Sequence, residues 1–258
     1  MKKFIIVGTQ RTGSSALGEA IGLHPNISCG WEWTVRESLF KAITVADNAL
    51  SGNFNGLSDK HKQHLLSIYS SDTECLGYRR LFRANDKWFF SPKFSPSLFL
   101  EKFSGHLNWI SENSDIHVIH IIREDNVNWL KSKAISRKTG SYFGQEYKEG
   151  ETAGMNVSEA LKRVEAKHFI DDRLSQLSET NPFIQISYEE FLSDNKFVAQ
   201  EVIRFLGEDA SLLPNLDEVM LAKPQTGTKP VQSILENYQE IFNSLNTKEL
   251  LTYVKKSK

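Results

Sequence analysis

Three groups of residues in this chain could do chemistry on a phosphorylated ligand. The first is Gly8-Thr9-Gln10-Arg11-Thr12-Gly13-Ser14-Ser15, where two glycines bracket a turn between an apolar run, Phe4 to Val7, and a helix-forming segment. Backbone N–H groups at the start of such a helix, with the positive end of its dipole, hold an anion whatever side chains surround them. Arg11 adds a cation inside the turn. The second group is Arg123, at the end of the apolar run Ile116 to Ile122, and Ser132, nine positions on and two turns into the next helical segment. A phosphate beside that helix could receive both the guanidinium and the hydroxyl. The third is Glu32, between Trp31 and Trp33. An apolar wall there would raise the pKa of the carboxylate and make it a better base.

Each group has an ordinary alternative. Gly8 to Ser15 could be a simple βα turn with a serine cap, and Arg11 a surface ion pair worth about 0 to 1 kcal/mol. Arg123 could pair with Glu124 or Asp125 at the strand end, Ser132 could be a plain helix serine, and Glu32 a solvated carboxylate beside core tryptophans. His24, His117, His120 and His168 show no metal-ligand spacing with cysteines or carboxylates and read as structural, His120 as a core histidine of a buried strand. Arg79, Lys93, Thr228 and Lys229 could line an anion pocket. The stretch Lys223 to Lys229 reads either as a loop that closes over a nucleotide or as a solvated connection.

Gly8 and Gly13 enclose four residues, as in the phosphate-binding loop of nucleotide hydrolases, but Ser14 and Ser15 stand where that loop carries Lys and then Ser or Thr. The lysine that neutralises the β and γ oxygens of a triphosphate is missing, which argues against ATP or GTP hydrolysis. Such an enzyme would also more often place a Mg²⁺-binding aspartate at the end of its second core strand; here that residue is Arg123. Two anion sites with no obvious metal ligand suit a ligand that carries two phosphates.

The elements that must position these groups alternate between strand and helix. Lys3 to Val7 reads as a first strand, Ala16 to Leu23 as a helix stopped near Gly22 by His24-Pro25-Asn26, and Ile27 to Thr34 as an extended segment returning beside strand one. Glu74 to Phe82 is a strand. Ile116 to Ile122 is an unbroken apolar run of the kind buried on both faces of a parallel sheet. Asp125 caps a helix bearing Val127, Leu130 and Ala134. Thr139 to Gly154 reads as a loop whose Tyr142, Phe143 and Tyr147 could line a sugar site. A longer helix with Leu161, Val164, Ile170 and Leu174 precedes a short strand at Phe183 to Ile186. Two helices follow, one with Val198, Val202 and Phe205, the other with Ile234, Tyr238, Ile241 and Leu245. The pattern predicts an α/β fold of three layers, a mostly parallel sheet with helices on both faces.

At 258 residues and 40% hydrophobic composition the chain suits one domain spanning residues 1–258. A net charge of −1 excludes a strongly basic surface for sequence-independent nucleic-acid binding. The two cysteines, Cys29 and Cys75, read as reduced thiols. The apolar N-terminal run is too short for a signal peptide, and no run approaches the ~20 apolar residues of a membrane span, so a cytoplasmic location is expected. No segment specifies an interface, which leaves homo-oligomers open.

In this order the motifs resemble the sulfotransferases that use 3′-phosphoadenylyl sulfate, and within them the bacterial carbohydrate group of trehalose and nodulation-factor enzymes. Arg11-Thr12-Gly13-Ser14-Ser15 looks like the family's loop for the 5′-phosphosulfate. His24-Pro25-Asn26-Ile27 with Glu32-Trp33 is similar to the segment that carries a catalytic carboxylate. Arg123-Glu124-Asp125, Ser132, Ala134 and Arg137-Lys138-Thr139-Gly140 look like the 3′-phosphate element. Weaker echoes are Gly77-Tyr78-Arg79, Ser187-Tyr188-Glu189-Glu190-Phe191, Phe205-Leu206-Gly207 and Asn237-Tyr238.

The resemblance implies a fold like that of P-loop nucleotide kinases, a nucleotide donor in place of a triphosphate, and no metal. It implies Glu32 and Arg11 as catalytic residues and Arg11, Thr12, Gly13, Ser14, Ser15, Arg123 and Ser132 as donor-binding ones. Some sulfotransferases use a histidine base, which keeps His120 in reserve. The acceptor is expected to be a hydroxyl, of a carbohydrate or glycolipid. A Mg-ATP-dependent kinase or hydrolase and a non-catalytic nucleotide-binding module are the alternatives.

Overall fold

The computed structural model describes residues 2–32, 63, 75–82, 96–139, 152–216 and 235–253. Five strands, β1 (Lys2–Thr9), β2 (Ile27–Glu32), β3 (Cys75–Phe82), β4 (His117–Ile122) and β5 (Phe183–Ser187), form one sheet in the order β2-β3-β1-β4-β5. Every neighbouring pair is parallel. The described helices are α1 (Ser14–Ile21), α2 (Pro96–Glu112), α3 (Asn126–Thr139), α4 (Val157–Ser175), α5 (Tyr188–Ser193), α6 (Asn195–Phe205) and α7 (Tyr238–Thr247).

The period-2 alternation of a strand explains the three layers. On β1 and β4, Ile5, Val7 and Val118 pack against Ile110 of α2, Trp129 and Leu130 of α3, Val164 and Ile170 of α4 and Leu245 of α7. The alternate residues Phe4, Ile6, Ile119 and Ile121 pack on the opposite face against Leu17 of α1, Phe191 of α5 and Val202 of α6. A strand apolar at every position is therefore one that serves two cores, and each such side chain removed from water contributes about 1.5–3 kcal/mol.

Three features differ from the sequence reading. The extended segment after α1 does not return beside β1: β2 pairs with β3, which inserts between them. The crossover into β3 runs through residues whose periodicity is weak, so the sequence carries no signal for the insertion. The 17-residue helix α2 is an added element, begun by Pro96 at the first helical position where a missing N–H costs nothing. The short helix α5 is also new, although its capping box is legible: the Ser187 hydroxyl accepts from the Glu190 N–H and the Glu190 carboxylate accepts from the Ser187 N–H. Ile234 lies outside the described residues, and α7 begins at Tyr238.

His24-Pro25-Asn26 acts as a staple. The buried His24 ring accepts the Asn26 N–H at Nδ1, 3.2 Å, and so donates from Nε2 to the Asp209 carbonyl at 3.0 Å. Asn26 Nδ2 donates to Glu208 at 2.9 Å, which ties the α1–β2 turn to the segment after α6. Cys29 is not in a disulfide. Among the described residues no helix is long and apolar enough to cross a membrane.

Candidate functional site

The β1–α1 loop sits at the carboxyl end of the central strand, where open α/β sheets bind ligands. Its two glycines are forced by contact. A Cβ on Gly8 would lie 2.4 Å from the main-chain oxygen of Ile121, because β1 and β4 approach closely there. Gly13 adopts φ 85°, and a Cβ on it would meet the Tyr188 ring at 2.4 Å. Arg11 is left-handed as well, at φ 71°, a conformation that costs a non-glycine residue on the order of 1–3 kcal/mol. The Thr12 hydroxyl closes the loop by donating to the Thr9 carbonyl at 2.8 Å.

Gly13 is the N-cap of α1 and supplies no side-chain acceptor; Ser14 and Ser15 lie inside the first turn. The serine cap of the simple-turn alternative is therefore absent. The earliest main-chain bond of the helix that the loop anchors is Leu17 N–H to the Gly13 carbonyl at 3.0 Å. The amides of Ser14, Ser15 and Ala16 precede it and have no intrahelical acceptor, which is the arrangement that receives an anion.

The two sequence-distant cation groups meet at this loop. Arg11 Nε donates to the Ser132 hydroxyl at 2.8 Å. Arg123 Nη1 donates to the Arg11 carbonyl at 3.2 Å. Arg123 is 7% exposed, stacked with its Cζ 4.5 Å from the centre of the Tyr188 ring. Burial lowers its pKa, while Tyr188, Glu189 and Asp125 act the other way; a guanidinium stays charged under such a shift. Among the described residues its carboxylate partner is Glu189, at 4.0 Å, in place of the Glu124 or Asp125 partner the sequence offered. Glu189 also accepts from the N–H groups of Glu124 at 3.0 Å and Asp125 at 3.2 Å. Among the described residues none accepts a hydrogen bond from the buried Arg123 Nε, a group of the kind an anionic ligand would satisfy.

Helix α3 is held to the loop from its other side. Asp125 caps it, accepting the Asn128 N–H at 2.8 Å. Trp129 Nε1 donates to the Gln10 carbonyl at 2.8 Å, and Lys133 Nζ donates to Gln10 Oε1 at 2.9 Å. Lys131 is buried, and its pKa is lowered by burial and by the charge of Arg123. Trp129 and Lys133 thus touch the loop although the sequence reading passed over them, and Gln10 and Tyr188, which stood in its motifs, had been given no part there. A signal existed: Asn-Trp-Leu-Lys-Ser-Lys-Ala-Ile-Ser places polar residues on every face of a helix that follows a strand buried on both sides. Such a helix must bury polar groups and so must give them partners.

Glu32 is the last residue of β2. Its register partner is Arg79 of β3, which is itself opposite Ile6 of β1. Two strand spacings, about 10 Å, therefore separate it from β1 across the sheet. Trp33, Lys93, Tyr142, Phe143, Tyr147, Thr228 and Lys229 lie outside the described residues. His120, within β4, is fully buried, with Nε2 3.7 Å from Asp171, whose other oxygen lies 3.0 Å from Lys167 of the same helix α4. No group of three or more histidine, cysteine, aspartate or glutamate side chains among the described residues is arranged to hold a metal ion.

Sequence comparison matches residues 3–211 to the profile of the sulfotransferase family. No curated protein matches the chain. Among solved structures it is similar to a sulfotransferase from Alicyclobacillus acidocaldarius, at 14% identity and a TM-score of 0.48 over 83% of this chain and 84% of that one. It is also similar to the sulfotransferase domain from the curacin biosynthetic pathway, at 13% identity and a TM-score of 0.43 over 96% of this chain and 98% of that one. A third is sulfotransferase STF9 from Mycobacterium avium, at 10% identity and a TM-score of 0.45 over 96% of this chain and 76% of that one. The profile match takes in β1, the Arg11 loop, Glu32 and the Arg123–Ser132 element together, and on that match the chain belongs to the sulfotransferase family.

Proposed function

We propose that this chain transfers a sulfuryl group from 3′-phosphoadenylyl sulfate to an acceptor hydroxyl of a carbohydrate or glycolipid, releasing adenosine 3′,5′-bisphosphate. The observation that carries the reading is the convergence of Arg11, Ser132 and Arg123 beside an uncapped helix N-terminus. Two anion-binding elements brought together in this way suit a nucleotide charged at both ends of its ribose.

In this reading the α1 amides, Thr12, Gly13, Ser14 and Ser15 hold the 5′-phosphate, and Arg123 with Ser132 holds the 3′-phosphate. Glu32 takes the proton of the acceptor hydroxyl as its oxygen forms a bond to sulfur. The sulfur–oxygen bond to the 5′-phosphate breaks in line, and its electron pair stays on the phosphate oxygen. Arg11 stabilises the charge gathering there. Lys133, bonded to Gln10, brings an ammonium group to the loop from α3, in the absence of the lysine that triphosphate-binding loops carry. The burial of His120 against Asp171 suits a core role, leaving Glu32 as the base.

The test is thermal stabilisation by adenosine 3′,5′-bisphosphate beside AMP and Mg-ATP, followed by sulfated-donor turnover with sugar acceptors. A ligand at 100 times its dissociation constant adds about 2.7 kcal/mol. A shift specific to the bisphosphate supports the reading; a shift with Mg-ATP alone would falsify it.

A further inference from the structure

We propose that residues Leu250–Tyr253 form a strap that sets the position of the Arg123–Ser132 element, with Tyr253 as its positioning residue. The strap thereby governs how strongly the site discriminates a 3′-phosphorylated nucleotide from one that lacks this phosphate. This rests on the reading of Arg123 and Ser132 as the 3′-phosphate element. The family match ends at residue 211, so the strap belongs to the part of the chain beyond it.

The turn between β4 and α3 connects Arg123 to Ser132, and its main chain is gripped on two sides. On one side Glu189 accepts the N–H groups of Glu124 and Asp125. On the other, the Tyr253 N–H donates to the Glu124 carbonyl at 2.9 Å and the Asn126 N–H donates to the Leu251 carbonyl at 3.1 Å, about an antiparallel bridge between Asp125 and Thr252. The Asp125 carbonyl takes the Trp129 N–H at 2.9 Å. With these bonds made, the turn has no slack through which the guanidinium of Arg123 and the first turns of α3 could shift independently.

The strap is in turn fixed to α4 by its own side chain. Tyr253 is buried, and its hydroxyl donates to Asp172 at 2.8 Å. Lys167 Nζ lies 4.9 Å from the centre of its ring, and the His168 ring meets it edge-on at 5.1 Å. Asn126 adds a second fastening, donating from Nδ2 to the Leu250 carbonyl at 2.9 Å and to His168 Nε2 at 2.7 Å. Burial and the bond to Asp172 hold the phenol well above its ordinary pKa, so it stays a donor. A ring and hydroxyl committed to α4, with main chain committed to the β4–α3 turn, link that turn to a 19-residue helix packed under the sheet.

The experiment measures dissociation constants for adenosine 3′,5′-bisphosphate and for AMP on the full chain and on Tyr253→Ala and Tyr253→Phe. The ratio of the two constants isolates the 3′ end, which a general loss of stability would leave unchanged. Tyr253→Ala should reduce the ratio about three- to thirtyfold with AMP affinity retained. Tyr253→Phe keeps the ring and should retain most of the ratio. If Tyr253→Ala does not fold, Tyr253→Leu, which loses the hydroxyl and the cation–π face but keeps apolar bulk, is read in its place. An unchanged ratio in the Ala or Leu variant overturns the strap. A wild-type chain that binds both nucleotides equally overturns instead the 3′-phosphate reading on which the strap depends.

Discussion

Arg11 donates from Nε to the Ser132 hydroxyl at 2.8 Å across 121 positions of sequence. The bond fills one acceptor site of the serine and leaves its proton to point elsewhere. It also steadies a loop arginine whose backbone sits in a strained left-handed conformation. The β1–α1 loop and the Arg123–Ser132 element are thus one connected structure.

Removing that bond should be felt at both ends of the ligand. Ser132→Ala is expected to weaken adenosine 3′,5′-bisphosphate binding about tenfold, the worth of one hydrogen bond near a charged group. Titration calorimetry reads it. Unaltered affinity would assign Ser132 to helix packing alone.

Arg123→Ala should cost more, because a buried charge-assisted contact is lost while Glu189 remains in place. About 1.5–3 kcal/mol, or roughly 10- to 150-fold in affinity for the bisphosphate, is expected. AMP should lose less. The same calorimetric series decides it, and an equal loss for both nucleotides would place Arg123 at the 5′ end.

For Glu32→Gln the expectation is a split between binding and turnover. The variant should bind the bisphosphate as the parent does while kcat falls by about two to four powers of ten. Steady-state kinetics with a sulfated donor reads both. Full activity would remove Glu32 from the base position.

The glycines should fail for different reasons. Gly8→Ala drives a methyl group toward the Ile121 carbonyl oxygen, which cannot move without the sheet, and should cost on the order of 1–3 kcal/mol. Gly13→Ala combines the left-handed strain with a clash against Tyr188, which stacks on Arg123. It should lower both the melting temperature and bisphosphate affinity. Calorimetric melting of each variant, with and without ligand, separates the two.

The buried pair Asp171–Lys167 gives a pH dependence. Burial acts to raise the Asp171 pKa, but Lys167 and His120 outweigh it and the net shift is downward. A carboxyl with a depressed folded pKa stabilises the fold above its unfolded value, near 4, and that contribution is lost as pH falls through the folded value. Asp171→Ala should therefore destabilise by about 3–5 kcal/mol at neutral pH, by leaving Lys167 buried without its partner. The gap to the parent should close as denaturation is repeated at decreasing pH below 4. A gap that stays constant with pH would mean that the cost is one of packing.

The sequence by itself determined the features that depend on neighbours along the chain. The apolar run Ile116 to Ile122 identified a doubly buried strand, the glycine spacing identified the tight β1–α1 turn, and Asp125 identified a helix start, because each signal is local and has one physical solution. It also nominated Arg11, Arg123 and Ser132 by chemical type.

Only the tertiary structure decided what those residues meet. Which strand lies between β1 and β2, that Arg123 faces Tyr188 and Glu189 from a helix 65 positions on, and that the strap at Tyr253 closes on Glu124 all depend on crossovers that carry no short-range signal. Ser187 to Phe191 illustrates the limit. Its capping box was legible as a helix start, but that the helix would deliver Tyr188 against Gly13 and Arg123 follows only from the position of β5 beside β4. Long-range pairing is set by how two whole cores fill on either side of the sheet, a sum over many weak contacts that no segment of sequence contains.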